Sequence, residues 1–118
     1  MEIINYEPGD YYYAFPEHMQ NYSKIKSAKA LLLLSELCSR AEWNTGRVLL
    51  PAGIKKEICT EIESDYSNIS KLLRMLESSD FITKKAEGVY FINPKSFWRG
   101  ELEEREKLLE QQRHYPLL

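Results

Sequence analysis

Five side chains that can hydrogen-bond to nucleobases occur within eight consecutive residues of the chain. They are Ser67, Asn68, Ser70, Lys71 and Arg74. Asparagine can pair with the edge of adenine, arginine or lysine with guanine, and serine with a base edge or a phosphate. These residue types therefore allow sequence-dependent contacts with duplex DNA, provided that one rigid element presents them together.

A helix would present these five side chains together. Ile69, Leu73 and Leu76 recur at three- and four-residue steps, which predicts an amphipathic helix over residues 67–79. When these apolar residues face inward, the polar residues lie on the opposite side, with Asn68 at the margin. The alternative is an ordinary solvated helix face.

A second short helix precedes this one. Ile54, Ile58 and Ile62 follow a strict four-residue spacing, which predicts an amphipathic helix over residues 52–62. The polar residues 63–65 break this pattern and supply N-cap candidates for the next helix. Two short helices joined by a few polar residues are typical of a helix-turn-helix.

The segment after the second helix predicts a β-hairpin. Residues 81–85 and 89–92 are β-prone runs joined by residues 86–88, in which Gly88 can adopt positive φ. A third run at residues 47–50 is expected to complete a small sheet. The fold class is therefore α+β and mainly helical: a winged helix-turn-helix with a small antiparallel sheet and a C-terminal helix.

Basic residues flank the predicted recognition helix on both neighbouring elements. Lys55 and Lys56 lie on the first helix of the motif, and Lys84 and Lys85 lie on the hairpin. Lysines beside a groove can bind phosphates. Basic groups on all three elements favour binding of double-stranded DNA over the solvated-face alternative.

Two longer helices complete the predicted domain. The first covers residues 23–41, with Ser23 as a cap, and is expected to be central to the core. Its apolar positions are Ile25, Ala28, Leu31, Leu32, Leu34, Leu37, Cys38 and Ala41. The last helix covers residues 100–113, and its leucines predict either a homodimer interface or a face that folds back on the first helix.

The N-terminal residues 1–22 hold five tyrosines and predict an irregular or partly extended arm. The run Tyr11 to Tyr13 either packs this arm onto the domain or stacks on single-stranded bases. Tyr66 either contacts DNA or packs under the turn. We expect an arm at 1–22, a winged helix-turn-helix domain at 23–100, and a C-terminal helix and tail at 101–118.

Charge is the main argument against a nucleic-acid partner. The 118 residues carry a net charge of −2, whereas DNA-binding domains are more often basic. Residues 40–100 nevertheless hold ten Lys and Arg against eight Asp and Glu, between two acidic flanks. The acidic balance leaves a winged-helix module that binds protein as an alternative of another class.

Metal and enzyme chemistry have little support in the sequence. Cys38 and Cys59 have no second ligand at metal spacing, and we interpret both as small core residues. No Gly-rich phosphate loop, paired histidines or nucleophile motif is present, so we expect neither an enzyme nor a cofactor. The eight tyrosines leave a nicking tyrosine as an open alternative.

The longest apolar run, residues 30–34, is far shorter than the ~20 residues of a membrane span. The first residues also lack the basic start of a signal peptide. We therefore expect a cytoplasmic protein without a membrane partner.

Three segments resemble replication proteins of the Rep-L type from plasmids and phages. The most specific is Val89-Tyr90-Phe91-Ile92-Asn93-Pro94-Lys95-Ser96-Phe97-Trp98-Arg99-Gly100, and residues 42–51 and 55–58 are also similar. The resemblance covers about residues 28–105. It implies recognition of origin DNA in plasmid or phage replication or its control, while a transcriptional regulator of similar fold is the close alternative.

The residue types of the most specific segment also predict its local structure. Proline ends a strand, and Phe97 and Trp98 offer large apolar area to cover the sheet. Gly100 permits a sharp turn into the last helix. We expect these residues to pack, with Lys95 and Arg99 as the candidates for DNA contact.

Overall fold

The computed structural model of the chain describes residues 11–114; the predictions for residues 1–10 and 115–118 lie outside them. The described elements are β1 (Tyr13–Ala14), α1 (Ala28–Arg40), β2 (Arg47–Leu49), α2 (Ala52–Glu61), α3 (Ile69–Ser78), β3 (Ile82–Ala86), β4 (Val89–Ile92), β5 (Phe97–Trp98) and α4 (Leu102–His114). The α+β, mainly helical fold class is confirmed, with small antiparallel sheets and a C-terminal helix.

Helix α1 begins five residues later than the sequence predicted. Its N-cap is Ser27, whose hydroxyl accepts a hydrogen bond from the Ala30 N–H at 3.1 Å. Residues 20–24 instead form a 3₁₀ turn, and Ile25 is extended and buried. The prediction of Ser23 as the cap was wrong because Ser27 satisfies the free N–H groups of the first turn.

The buried face of α1 also differs from the predicted one. Leu33 is fully buried, whereas Leu32 is half exposed and Ala28 is exposed. Leu34, Leu37 and other predicted positions do lie in the core. Four consecutive leucines occupy every side of a helical turn, so their spacing alone does not select the inward pair.

Helices α2 and α3 are joined by a short turn that α1 holds in place. At the end of α2, Glu63 has a φ of 55°, and the N–H groups of Glu63 and Ser64 donate to the carbonyls of Thr60 and Cys59. These two bonds form a Schellman motif. Lys29 of α1 donates to the carbonyls of Ile62 and Glu63, each at 2.7 Å. The lysine thereby fixes the turn against the core.

Strands β2, β4 and β3 form one antiparallel sheet in that order. The predicted third strand therefore pairs with the second strand of the hairpin. The N–H of Leu50 donates to the carbonyl of Gly88 at 2.8 Å, and Gly88 has the predicted positive φ, 73°. The hairpin loop thus lies beside the start of α2. Lys85 bulges out of the register between Lys84 and Ala86.

The segment between β4 and α4 is structural, as predicted. Phe97 and Trp98 are buried and form β5, which pairs with β1 of the N-terminal arm. Arg99 donates to the carbonyls of Ser39 and Ala41 at 2.6 and 2.7 Å. The guanidinium therefore fastens this segment to the end of α1, while contact of Arg99 with DNA stays a prediction.

Helix α4 is anchored through Arg105. This side chain is 8% exposed, stacks on the ring of Phe15 at 3.6 Å, and donates to the carbonyls of Pro94 and Lys95. Leu102 is exposed, and Leu108 and Leu109 are half-buried without joining the central core. None of these three leucines therefore belongs to the central core of the described residues.

Candidate nucleic-acid interface

Helix α3 has two sharply different sides. Ile69, Leu73 and Leu76 are buried as predicted, and Leu72 joins them in the core. The remaining candidates on the helix, Ser70, Lys71 and Arg74, are all exposed. A helix covered by protein on one side only has its polar side available for a partner.

Two predicted members of this surface lie just before the α-helix. Ser67 and Asn68 belong to a 3₁₀ turn, Tyr66–Asn68, and both are exposed. The prediction that Ser67 lies within the α-helix was wrong. The side chains of Asp65 and Asn68 make no cap hydrogen bond, and the Asn68 N–H instead donates to the Asp65 carbonyl at 3.0 Å. This hydrogen bond between residues i+3 and i is of the 3₁₀ type and tightens the turn that precedes α3.

Tyr66 lies at the surface and not under the turn. The residue is 42% exposed, and the ammonium nitrogen of Lys56 lies 5.8 Å from the centroid of its ring. This cation–π contact joins α2 to the start of α3. Lys56 is exposed and Lys55 is half-buried on the same helix. Sequence reasoning missed the contact because Lys56 and Tyr66 have no shared periodicity.

The two hairpin lysines have different environments. The Lys84 ammonium lies 3.0 Å from a carboxylate oxygen of Glu87. This hydrogen bond is the main cause that raises the pKa of Lys84 and lowers the pKa of Glu87. Lys85 is exposed at the bulge. The structure thus keeps both lysines at the surface but gives Lys84 an internal counter-ion that sequence reasoning missed.

The two cysteines lie in the core. Cys38 and Cys59 are buried, as predicted, and burial raises the pKa of Cys38 to about 12. Within residues 11–114, no group of three or more His, Cys, Asp or Glu residues could hold a metal ion. No helix in the described part of the chain has the length and apolar character that crossing a membrane requires.

The comparisons with known proteins agree with the resemblance in the sequence. The family model of the Firmicute plasmid replication protein (RepL) matches residues 51–116, which is more than half of the chain. The chain therefore belongs to the RepL family of plasmid replication proteins. No curated protein and no solved structure matches it significantly. The matched range contains α2, α3, the hairpin and α4.

Proposed function

We propose that the chain is a winged helix-turn-helix protein that binds specific double-stranded DNA in plasmid replication initiation or its control. The observation that carries this proposal is the division of α3 into a buried apolar side and an exposed side with Ser70, Lys71 and Arg74. In the proposed complex this exposed side enters the major groove, where hydroxyl, ammonium and guanidinium groups can distinguish base pairs.

Basic residues on the neighbouring elements support the same orientation. The element before α3 contributes Lys55 and Lys56, and the hairpin after α3 contributes Lys85. In the proposed complex these three lysines contact phosphates. Lys84 contributes less, because Glu87 already neutralises part of its charge. Phosphate contacts set the orientation of the protein, and the α3 side chains supply the sequence preference.

Membership of the RepL family supports replication over the alternative of transcriptional regulation. The two roles share one physical mechanism and differ in the location of their sites. Replication requires binding sites at an origin near or within the gene, whereas a repressor requires sites that overlap a promoter. We further propose that the chain acts in the cytoplasm, without enzymatic activity of its own.

We also propose that α4 mediates a homodimer. Leu108 and Leu109 provide apolar area that does not belong to the core of the monomer. A two-fold dimer would present two α3 helices to a palindromic site and so strengthen specific binding.

Fluorescence anisotropy with a labelled duplex of the replicon's own sequence tests the proposed function. We expect saturable binding that weakens steeply with salt, because binding releases counterions from the phosphates. A scrambled duplex should bind more weakly than the replicon duplex at the same salt. Equal affinity for both duplexes would contradict sequence-specific binding, and no binding to either at moderate salt would contradict DNA binding altogether.

A further inference from the structure

Three aromatic rings meet at an open pocket beside the start of α4. The rings of Tyr11 and Tyr13 are 5.5 Å apart, those of Tyr11 and Trp43 are 5.9 Å apart, and both pairs are nearly perpendicular. The pocket has a volume of about 430 Å³, and residues 100–103 form its other side. Its lining includes none of the nine candidate DNA-binding residues.

Successive tyrosines of the run face opposite sides of the arm, and two of them line this pocket. Tyr12 packs against the core, with its ring centroid 6.0 Å from that of Phe97. Tyr11 and Tyr13 are two residues apart, lie on the opposite side of the extended arm, and line the pocket. The predicted packing of the arm is thus correct for Tyr12, while its two neighbours contribute to a surface site.

The opposite wall is fixed to the domain by Asn44. The Asn44 N–H donates to the Arg99 carbonyl at 3.0 Å, and the Asn44 side chain accepts from the Glu101 N–H at 2.7 Å. Gly100 has a φ of 151°, and any side chain there would collide with Asn44. These contacts hold Trp43, next to Asn44, close to the start of α4. The pocket is therefore preformed on two sides.

The negative charge at this pocket favours a cationic ligand. Glu101 and Glu103 line the pocket and both are exposed, and within residues 11–114 the lining includes no basic residue. A hydrogen bond with Tyr13 is the main cause that raises the pKa of the Tyr11 phenol above its ordinary value, so this phenol adds no negative charge near pH 7. Two carboxylates repel the phosphates of a nucleic acid and attract a cation, and aromatic faces bind the same class of ligand.

We propose that Tyr11, Tyr13, Trp43, Glu101 and Glu103 form a binding site for an arginine or lysine side chain that a protein partner presents. The aromatic faces contact the cationic group within about 6 Å, and the carboxylates attract it from the edge of the pocket. This site shares no residue with α2, α3 or the hairpin, so binding at it does not use the candidate DNA-binding side chains.

Titration of the full chain with acetyl-arginine amide, followed by NMR, tests this proposal. We expect saturable shifts of the Trp43 indole N–H signal. The neutral isostere acetyl-citrulline amide should leave that signal unchanged. The double change Glu101→Gln and Glu103→Gln should weaken binding by roughly threefold to tenfold, the effect of two exposed charges, and Trp43→Leu should weaken it by about threefold or more.

Glu104→Gln is the control for the loss of one carboxylate near the pocket, because Glu104 lies on the same helix turn but does not line the pocket. It should bind the probe as the unmodified chain does. Equal responses to arginine and citrulline, or unchanged binding by the folded double variant, would overturn the proposal. A Trp43 shift with a single-stranded oligonucleotide but not with the arginine probe would also overturn it, in favour of base stacking. The affinity of each variant for duplex DNA is measured separately and should equal that of the unmodified chain.

Discussion

Lys71 and Arg74 are the residues on which the proposed base recognition depends most. Both are exposed on the side of α3 opposite its core residues. Because a good bidentate contact contributes ~1–3 kcal/mol, the double change to alanine should weaken specific binding at least about tenfold. Calorimetric melting should show nearly unchanged stability.

Lys26→Ala and Lys107→Ala together form a control for these two changes. Both lysines are exposed and lie outside α2, α3 and the hairpin. The control removes the same number of positive charges and should retain most of the specific affinity. An unaltered affinity in the folded Lys71 and Arg74 variant would refute their assignment.

At the hairpin, the ion pair with Glu87 leaves Lys84 less available for a phosphate than Lys85 is. Lys85→Ala should lower the slope of log affinity against log salt by about 0.9, the value for one lost phosphate contact. Lys84→Ala should have a smaller effect. Glu87→Gln should tighten binding to all duplexes, since it releases Lys84 for a phosphate. Anisotropy titrations at several salt concentrations measure all three.

Two results at the hairpin would contradict these roles of the lysines. If Lys85→Ala changes the preferred DNA sequence while the salt slope stays the same, the hairpin reads bases and not phosphates. If Glu87→Gln weakens binding, the pair with Lys84 positions the hairpin for DNA and does not compete with it.

At the scale of elements, α2 and α3 both end in a Schellman motif with an acidic residue in the left-handed position. Glu63 and Asp80 have φ values of 55° and 66°. Glycine adopts this conformation without steric cost, and a negative charge at a helix C-terminus is unfavourable. Glu63→Gly should therefore raise the free energy of unfolding by roughly 0.5–1 kcal/mol.

Glu61→Gly provides the comparison, because Glu61 is the last residue within α2. Glycine within a helix costs about 0.5–1 kcal/mol, so this change should lower the stability. Urea unfolding of both variants measures the difference. A lower stability of Glu63→Gly would show that the glutamate side chain stabilises the turn by contacts that outweigh its backbone strain.

The sequence predicted most elements correctly because their signals are local. The spacing of Ile69, Leu73 and Leu76 identified α3 and its exposed side, and Gly88 identified the hairpin loop. The start of α1 and the choice of Leu33 over Leu32 were not predictable in this way. They depend on which side of the helix the other elements cover.

Two sets of contacts that the sequence did not predict, those of Lys29 and Arg99, depend on long-range packing. Lys29 fixes the turn between α2 and α3 from a position 33 residues before Ile62. Arg99 resembles a surface cation in the sequence, yet its partners Ser39 and Ala41 are about 60 residues earlier. Only the packed chain brings these groups together, so periodicity and composition carry no signal for them.

At the scale of the whole molecule, α4 decides the proposed oligomeric state. Leu109 is half-buried and lies outside the core, so Leu109→Glu should disrupt a dimer without unfolding the monomer. Burying the new charge at the interface should weaken association about tenfold or more. Gln111→Glu adds the same charge at an exposed position and is the control.

Sedimentation velocity of the two variants and the unmodified chain measures this effect. The unmodified chain and Gln111→Glu should sediment as dimers, and Leu109→Glu as a folded monomer. If the unmodified chain is a monomer at the concentrations at which it binds DNA, α4 is not a dimer interface, and the sites in the replicon should be single or directly repeated.

Recovery of protein-bound duplexes from a random pool tests the central claim most directly, because the protein itself selects its site from all sequences in the pool. The unmodified chain should enrich one reproducible motif, and the Lys71→Ala and Arg74→Ala variant should lose the preference at some of its positions. A dimer would make the motif palindromic. Recovery of no common motif by the folded chain, or of the same motif with equal affinity by the variant, would contradict sequence recognition by α3.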